Sequence, residues 1–153
     1  VETFTDKIYT CVIPRDLHYI RERARRRGDK SVSAVAAFLG KALNIIPVIF
    51  GQGVEGKPVA KTRNFDMAVE KVMNYAVARV EAGLLTPYVS LSCGLSWTEI
   101  EDLPGLNRLR DACEQNGVEL LLSQMGITSA IYVGPGSICL ALAAEPHEFS
   151  DFQ

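Results

Sequence analysis

No apolar run in this 153-residue chain approaches the ~20 residues of a membrane-spanning helix, so the protein is not expected to span a membrane. Histidine occurs only twice, at His18 and His147. The four cysteines (Cys11, Cys93, Cys113, Cys139) form no C-x-x-C pair. A Cys/His zinc centre therefore lacks ligands at workable spacing, and neither a metal nor a cofactor is expected. There is no G-x-S-x-G elbow, no Walker A loop and no G-x-G-x-x-G, since Gly51-Gln-Gly53 lacks both the third glycine and a following helix. A cysteine nucleophile needs a positioned base. One histidine stands in an arginine-rich stretch and the other near the C-terminal end, so neither pairing is supported and no catalysis is expected. The opening Val-Glu-Thr-Phe-Thr-Asp has no basic segment followed by an apolar one, which argues against a secretory signal. With mostly apolar neighbours, the cysteines read as buried reduced thiols, and the expected compartment is the cytoplasm. The first residue is Val1 rather than Met, so a fragment of a longer protein is expected.

What is present is 48% hydrophobic and 22% charged residues, enough for a single domain over 1–153 that buries roughly two-thirds of its unfolded surface. Strands are expected at Tyr9–Ile13, Ile45–Phe50, Pro58–Thr62, Pro87–Ser92, Val118–Leu122 and Ser137–Ala143, from alternation or short apolar runs. Pro47 places the second of these at an edge or a strand start. Helices are expected from Leu17 to Arg27 and from Val32 to Leu43. A further helix from Phe65 to Ala82 carries the stripe Phe65, Val69, Val72, Ala76 and Val80, between Asn64 and Gly83. Ser96 with Glu99 forms a capping box before a helix from about Leu106 to Gln115. Residues 123–132 read ambiguously, with room for one helical turn, and the tail from Glu145 is expected to fray. The resulting fold class is α/β, a two-layer sandwich with a mixed sheet of about six strands.

Net charge is −2, but it is unevenly distributed. From Arg15 to Lys30 there are seven basic residues against three acidic ones, an excess of four positive charges, so the rest of the chain carries six net negative charges. On a helix, Arg21 and Arg25, like Glu22 and Arg26, stand one turn apart, as on a solvated face with ion pairs. The same guanidinium forks would suit a phosphate, a carboxylate or a docking partner. Nucleic acid fits less well, because the body is acidic and no aromatic residue interleaves with the arginines. Arg63 is a second candidate for anion or partner docking, beside the start of the helix at Phe65.

Three stretches resemble the C-terminal domain of the DegV family of bacterial fatty-acid-binding proteins. They are Leu39-Gly-Lys-Ala-Leu-Asn-Ile-Ile-Pro-Val-Ile49, Gly56-Lys-Pro-Val-Ala-Lys-Thr-Arg63 and Val133-Gly-Pro-Gly136 with the apolar strand after it. The resemblance runs from about residue 9 to 144. It implies a DegV-like fold and one long-chain fatty acid held in a tunnel between two domains, its carboxylate at the domain junction. It further implies a separate kinase catalytic subunit as partner and an N-terminal domain that is absent from this chain. The family's histidine before Thr-Gly-Pro-Gly falls on Tyr132 and its threonine on Val133. A longer arginine-rich stretch replaces its Gly-Gly-Arg loop, with Arg27 the nearest equivalent.

On this resemblance Tyr132, Gly134, Pro135 and Gly136 are expected at the lipid head group, with the amides of the glycine turn contributing. Phe38, Leu39, Leu43 and Ile45 are expected to line the tunnel, and Arg63, Arg26 and Arg27 to face a phosphoryl donor or the kinase subunit. The alternative is a regulatory docking domain with a vestigial tunnel, in which Tyr132 fills the head-group space and the 21–27 surface makes the contact.

Overall fold

Side chains alternate between the two faces of a strand, so residues two apart share a neighbourhood, and here the two faces differ in composition. The computed structural model describes residues 2–16, 19, 45–53 and 55–149. Along these run α1 (Glu2–Thr5), β1 (Ile8–Ile13), β2 (Ile46–Gln52), β3 (Glu55–Thr62), α2 (Phe65–Ala82) and β4 (Tyr88–Cys93). Then follow α3 (Trp97–Glu101), α4 (Leu106–Gln115), β5 (Glu119–Gln124), α5 (Ile127–Val133) and β6 (Ile138–Ala143). The expected helices over 17–27 and 32–43 lie outside the described residues.

Among the described residues the six strands form one mixed sheet in the order β3-β2-β1-β6-β4-β5. β4 and β5 are parallel, as the intervening helices require, and every other pair is antiparallel. Registers such as Cys11 opposite Phe50 and Leu140, and Leu91 opposite Leu140 and Leu122, place one apolar set on a common face. That face is buried against α2 and α4, which also pack on each other. Tyr9, Ile13, Val48, Val89 and Ile138 belong to it, and full burial of such a side chain contributes about 1.5–3 kcal/mol.

The helices start and stop where local chemistry directs. Asn64 Oδ1 accepts from the Met67 amide at 2.8 Å, and the Gly83 N–H donates to Val80 O from a positive φ. The buried side of α2 is wider than the five-residue stripe, adding Ala68, Met73, Tyr75 and Arg79, because both the sheet and α4 press on it. At α3 the Ser96–Glu99 capping box is complete. Pro47 is the second residue of β2, a strand start. Gly51 pairs with Gly56 and Gln52 with Glu55 in the β2–β3 hairpin, so the connection between the strands is short.

Two expectations change. The ambiguous 123–132 segment resolves into the end of β5 and a helix, α5. The tail does not fray up to Phe149, whose ring is buried and lies 5.1 Å from Tyr75 and 5.6 Å from Phe50. Aromatic burial there outweighs the entropy that loosens most chain ends.

Candidate functional site

The second face of the sheet is built differently. Val12, Ile49, Cys139 and Ser92 stand in one row across it, and Thr10, Gly51, Ala141 and Ser90 in the next. These side chains are small or slender and half-buried, without the large fully buried residues of the first face. A solvated sheet face would be expected to carry charge. This one carries methyls, hydroxyls and a thiol.

Over its far end lies α5. Between α5 and the sheet is a cavity of about 300 Å³, floored by Ser92 and Cys139 and walled by Met125, Thr128, Ser129, Tyr132 and Val133. Its lining is predominantly apolar, and its polar groups are hydroxyls and a thiol. Burial holds the Cys139 thiol above its usual range. Cys93 is pushed up to about 11 by burial and by Cys139, and Cys11 is also raised, mainly by burial. Thiols held neutral in this way are poor nucleophiles. All four cysteines are free.

The Gly-Pro-Gly turn joins α5 to β6. Gly134, at φ +91°, ends α5 by donating its N–H to Ala130 O at 2.9 Å. A side chain at 134 would meet the Tyr19 ring at 3.1 Å, and the Tyr19 hydroxyl donates to Ile131 O at 2.8 Å. Gly136, at φ +74°, donates to Gly94 O at 3.1 Å, while Ser137 Oγ donates to Val133 O at 2.7 Å. Both glycine amides are thus engaged inside the protein, and Pro135 has no N–H. These bonds fix the shape of the turn.

Of the other expected site residues, Tyr132 lines the cavity with about half of its surface exposed. Ile45 is half-buried just before β2. Arg63 is exposed between β3 and α2. It stands at the same end of the sheet as the Gly-Pro-Gly turn, since Thr62 pairs with the first residue of β2 and Ile13 with the first of β6. Phe38, Leu39, Leu43, Arg26 and Arg27 lie outside the described residues. Sequence reasoning missed Arg15, which lies against Gly136 and over the Phe65 ring. The signal available was its place just after the Pro14 that ends β1.

A second cavity, of about 560 Å³, opens at the opposite end of the sheet beside Asp6, Phe50, Gln52, Lys57 and His147. His147 Nδ1 lies 2.7 Å from the Glu145 carbonyl, which can only accept. Nδ1 therefore carries the proton, and Nε2 accepts from the Tyr75 hydroxyl at 2.7 Å. The imidazole is a structural bridge between the tail and α2, remote from any thiol of the first cavity. Among the described residues no three metal-ligating side chains come together, and no helix is long and apolar enough to cross a membrane.

Comparison with known proteins places this geometry. The family model for the DegV family, described as uncharacterised proteins, matches residues 1–145. A DegV domain-containing protein of Xanthomonas axonopodis pv. citri is 42% identical over 150 residues, covering 98% of this chain and 48% of its own length. Among solved structures, a stearic acid-binding protein from Eubacterium ventriosum superposes with a TM-score of 0.68 at 17% identity, over 98% of this chain and 48% of the other. DegV of Bacillus subtilis, a fatty acid binding protein, does so with a TM-score of 0.68 at 16% identity, over 94% of this chain and 47% of that one. The chain spans about half the length of these relatives.

Proposed function

The chain belongs to the DegV family, and we propose that it binds a long-chain fatty acid, with the alkyl chain between α5 and the small-residue face of the sheet. The carboxylate lies toward Tyr132 and the Gly134–Gly136 turn. The observation that carries this reading is the cavity under α5, apolar in its walls and continuous in composition with the rows Val12–Cys139–Ser92 and Thr10–Ala141–Ser90. Each methylene buried there contributes about 0.8 kcal/mol, so a long chain is held without many polar contacts. The solved relatives described as binding stearic acid and fatty acid support it.

In this reading the protein performs no chemistry itself. It presents the carboxylate, in the cytoplasm, to a separate kinase catalytic subunit, and a domain N-terminal to this one completes the head-group site. Arg63, exposed at the presenting end, faces the phosphoryl donor or the partner. The test uses protein loaded with oleate, incubated with ATP and a kinase subunit of this kind. Arg63→Glu is expected to keep oleate bound and to slow acyl-phosphate formation about tenfold or more, as loss of a charged contact does. Equal rates contradict the role of Arg63, and failure of the unaltered protein to take up oleate contradicts the binding reading.

A further inference from the structure

Any anion brought to the Gly134–Gly136 turn finds no backbone donor from the turn's own residues. The Gly134 amide donates to Ala130 O, the Gly136 amide donates to Gly94 O, and Pro135 has none. A side-chain donor, the Arg15 guanidinium, is already laid against the turn. We propose that Arg15 is the oxyanion receptor of this site, reading the head group of the bound ligand, an inference that rests on the fatty-acid reading above.

Arg15 follows the last residues of β1, and its aliphatic stem crosses Gly136 so closely that a Cβ there would lie 2.7 Å from Arg15 Cδ. Glycine at 136 is what lets the arginine lie in this position, in addition to the turn's need for a positive φ. The guanidinium carbon stands 5.1 Å from the centroid of the Phe65 ring, a cation–π contact that orients the group without using its N–H donors. Its carboxylate neighbour is Glu99, at 3.8 Å, too far for a hydrogen bond. Glu99 is committed elsewhere: its other oxygen accepts from the Ser96 amide at 2.9 Å and from Ser96 Oγ at 2.8 Å. Those bonds, more than Arg15, hold the Glu99 carboxyl below its usual range.

Among the described residues the Arg15 guanidinium makes no hydrogen bond, and about half of the side chain is open to solvent. Among those residues it is an oriented fork whose donors meet no acceptor within hydrogen-bond distance, beside the turn that continues from cavity-lining Tyr132 and Val133. Such a fork matches the two oxygens of a carboxylate or those of a phosphate. Fatty acid carboxylate and soluble phosphate share that chemistry, and the experiment separates them.

Affinities for oleate and for oleyl alcohol are measured by displacement of a fluorescent fatty acid from the unaltered protein, Arg15→Gln and Arg15→Lys. If Arg15 meets the carboxylate, the unaltered protein prefers oleate by about tenfold, the scale of one charge-assisted hydrogen bond. Arg15→Gln then loses that preference while keeping its affinity for the alcohol, and Arg15→Lys retains part of it. A preference unchanged in Arg15→Gln overturns the proposal. So does an equal loss for acid and alcohol, which would make Arg15 only a packing partner of Phe65 and Gly136. Should the unaltered protein bind neither lipid, the fatty-acid reading fails and inorganic phosphate becomes the probe. Thermal stabilisation by phosphate that disappears in Arg15→Gln would keep Arg15 as an oxyanion receptor for a soluble ligand, and no stabilisation would overturn it.

Discussion

Cys93, the last residue of β4, faces the buried side of the sheet, and its thiol is pushed from the ordinary 9.0 to about 11, by burial first and by Cys139 second. The native state therefore keeps a proton that the unfolded chain releases above pH 9, so this contribution to stability is intact below pH 9 and is lost as pH rises through about 11. Thermal unfolding followed from pH 8 to 11 should show a falling Tm, with a shallower fall in Cys93→Ala. Parallel curves for the two proteins would contradict the linkage. At this scale the sequence was legible wherever the chemistry is local: Asn64 and Ser96 are caps because their side chains reach amides three residues away. Arg15 was not legible, because its partners Phe65 and Gly136 are distant in the chain and meet it only through the pairing of β1 with its neighbours. Nor could the Gly-Pro-Gly motif reveal that its amides are spent. Gly136 finds Gly94 across the sheet end, a contact that no spacing within the motif encodes.

Among the elements, α2 was readable to the residue, since a 3.6-residue periodicity between the Asn64 cap and Gly83 leaves little freedom, and α4 was readable to within a residue or so, although the Ser96–Glu99 box caps the separate short helix α3. The segment after β5 was harder. Ile127–Val133 forms α5, but Ile127 and Ile131 are exposed, so the helix shows no buried stripe for a periodicity argument to find. The end of the chain was misread for a related reason. Nothing in residues 145–149 forms a pattern by itself, yet His147 bridges to Tyr75 and Phe149 stacks on the same ring. The consequence is measurable: Phe149→Ala should lower unfolding free energy in urea by about 3–5 kcal/mol, the cost of deleting a buried aromatic ring. A loss below 1 kcal/mol, the range of a surface substitution, would mean that the tail is not part of the core.

For the molecule as a whole, the division of labour lies between the two faces of one sheet. The face of Leu91, Leu140 and Phe50 is closed by α2 and α4 and supplies stability. The face of Thr10, Ser90 and Ala141 holds small side chains that leave room, and it ends at the cavity under α5. Alternation and short apolar runs marked the strands but not which face of the sheet the helices would leave open, because that depends on where they pack. The two cavities at opposite ends of the sheet also separate roles: one is apolar with hydroxyls beside the glycine turn, the other mixes charge with the His147 bridge. The central claim is that the small-residue face carries an alkyl chain. The most direct measurement is native mass spectrometry of the purified protein beside Ser92→Phe, which fills the cavity floor, with organic extraction of whatever is bound. The account predicts a mass surplus of one fatty acid per chain in the unaltered protein and its loss from a folded Ser92→Phe. A bare mass after incubation with mixed fatty acids, or equal retention by the two proteins, would contradict it.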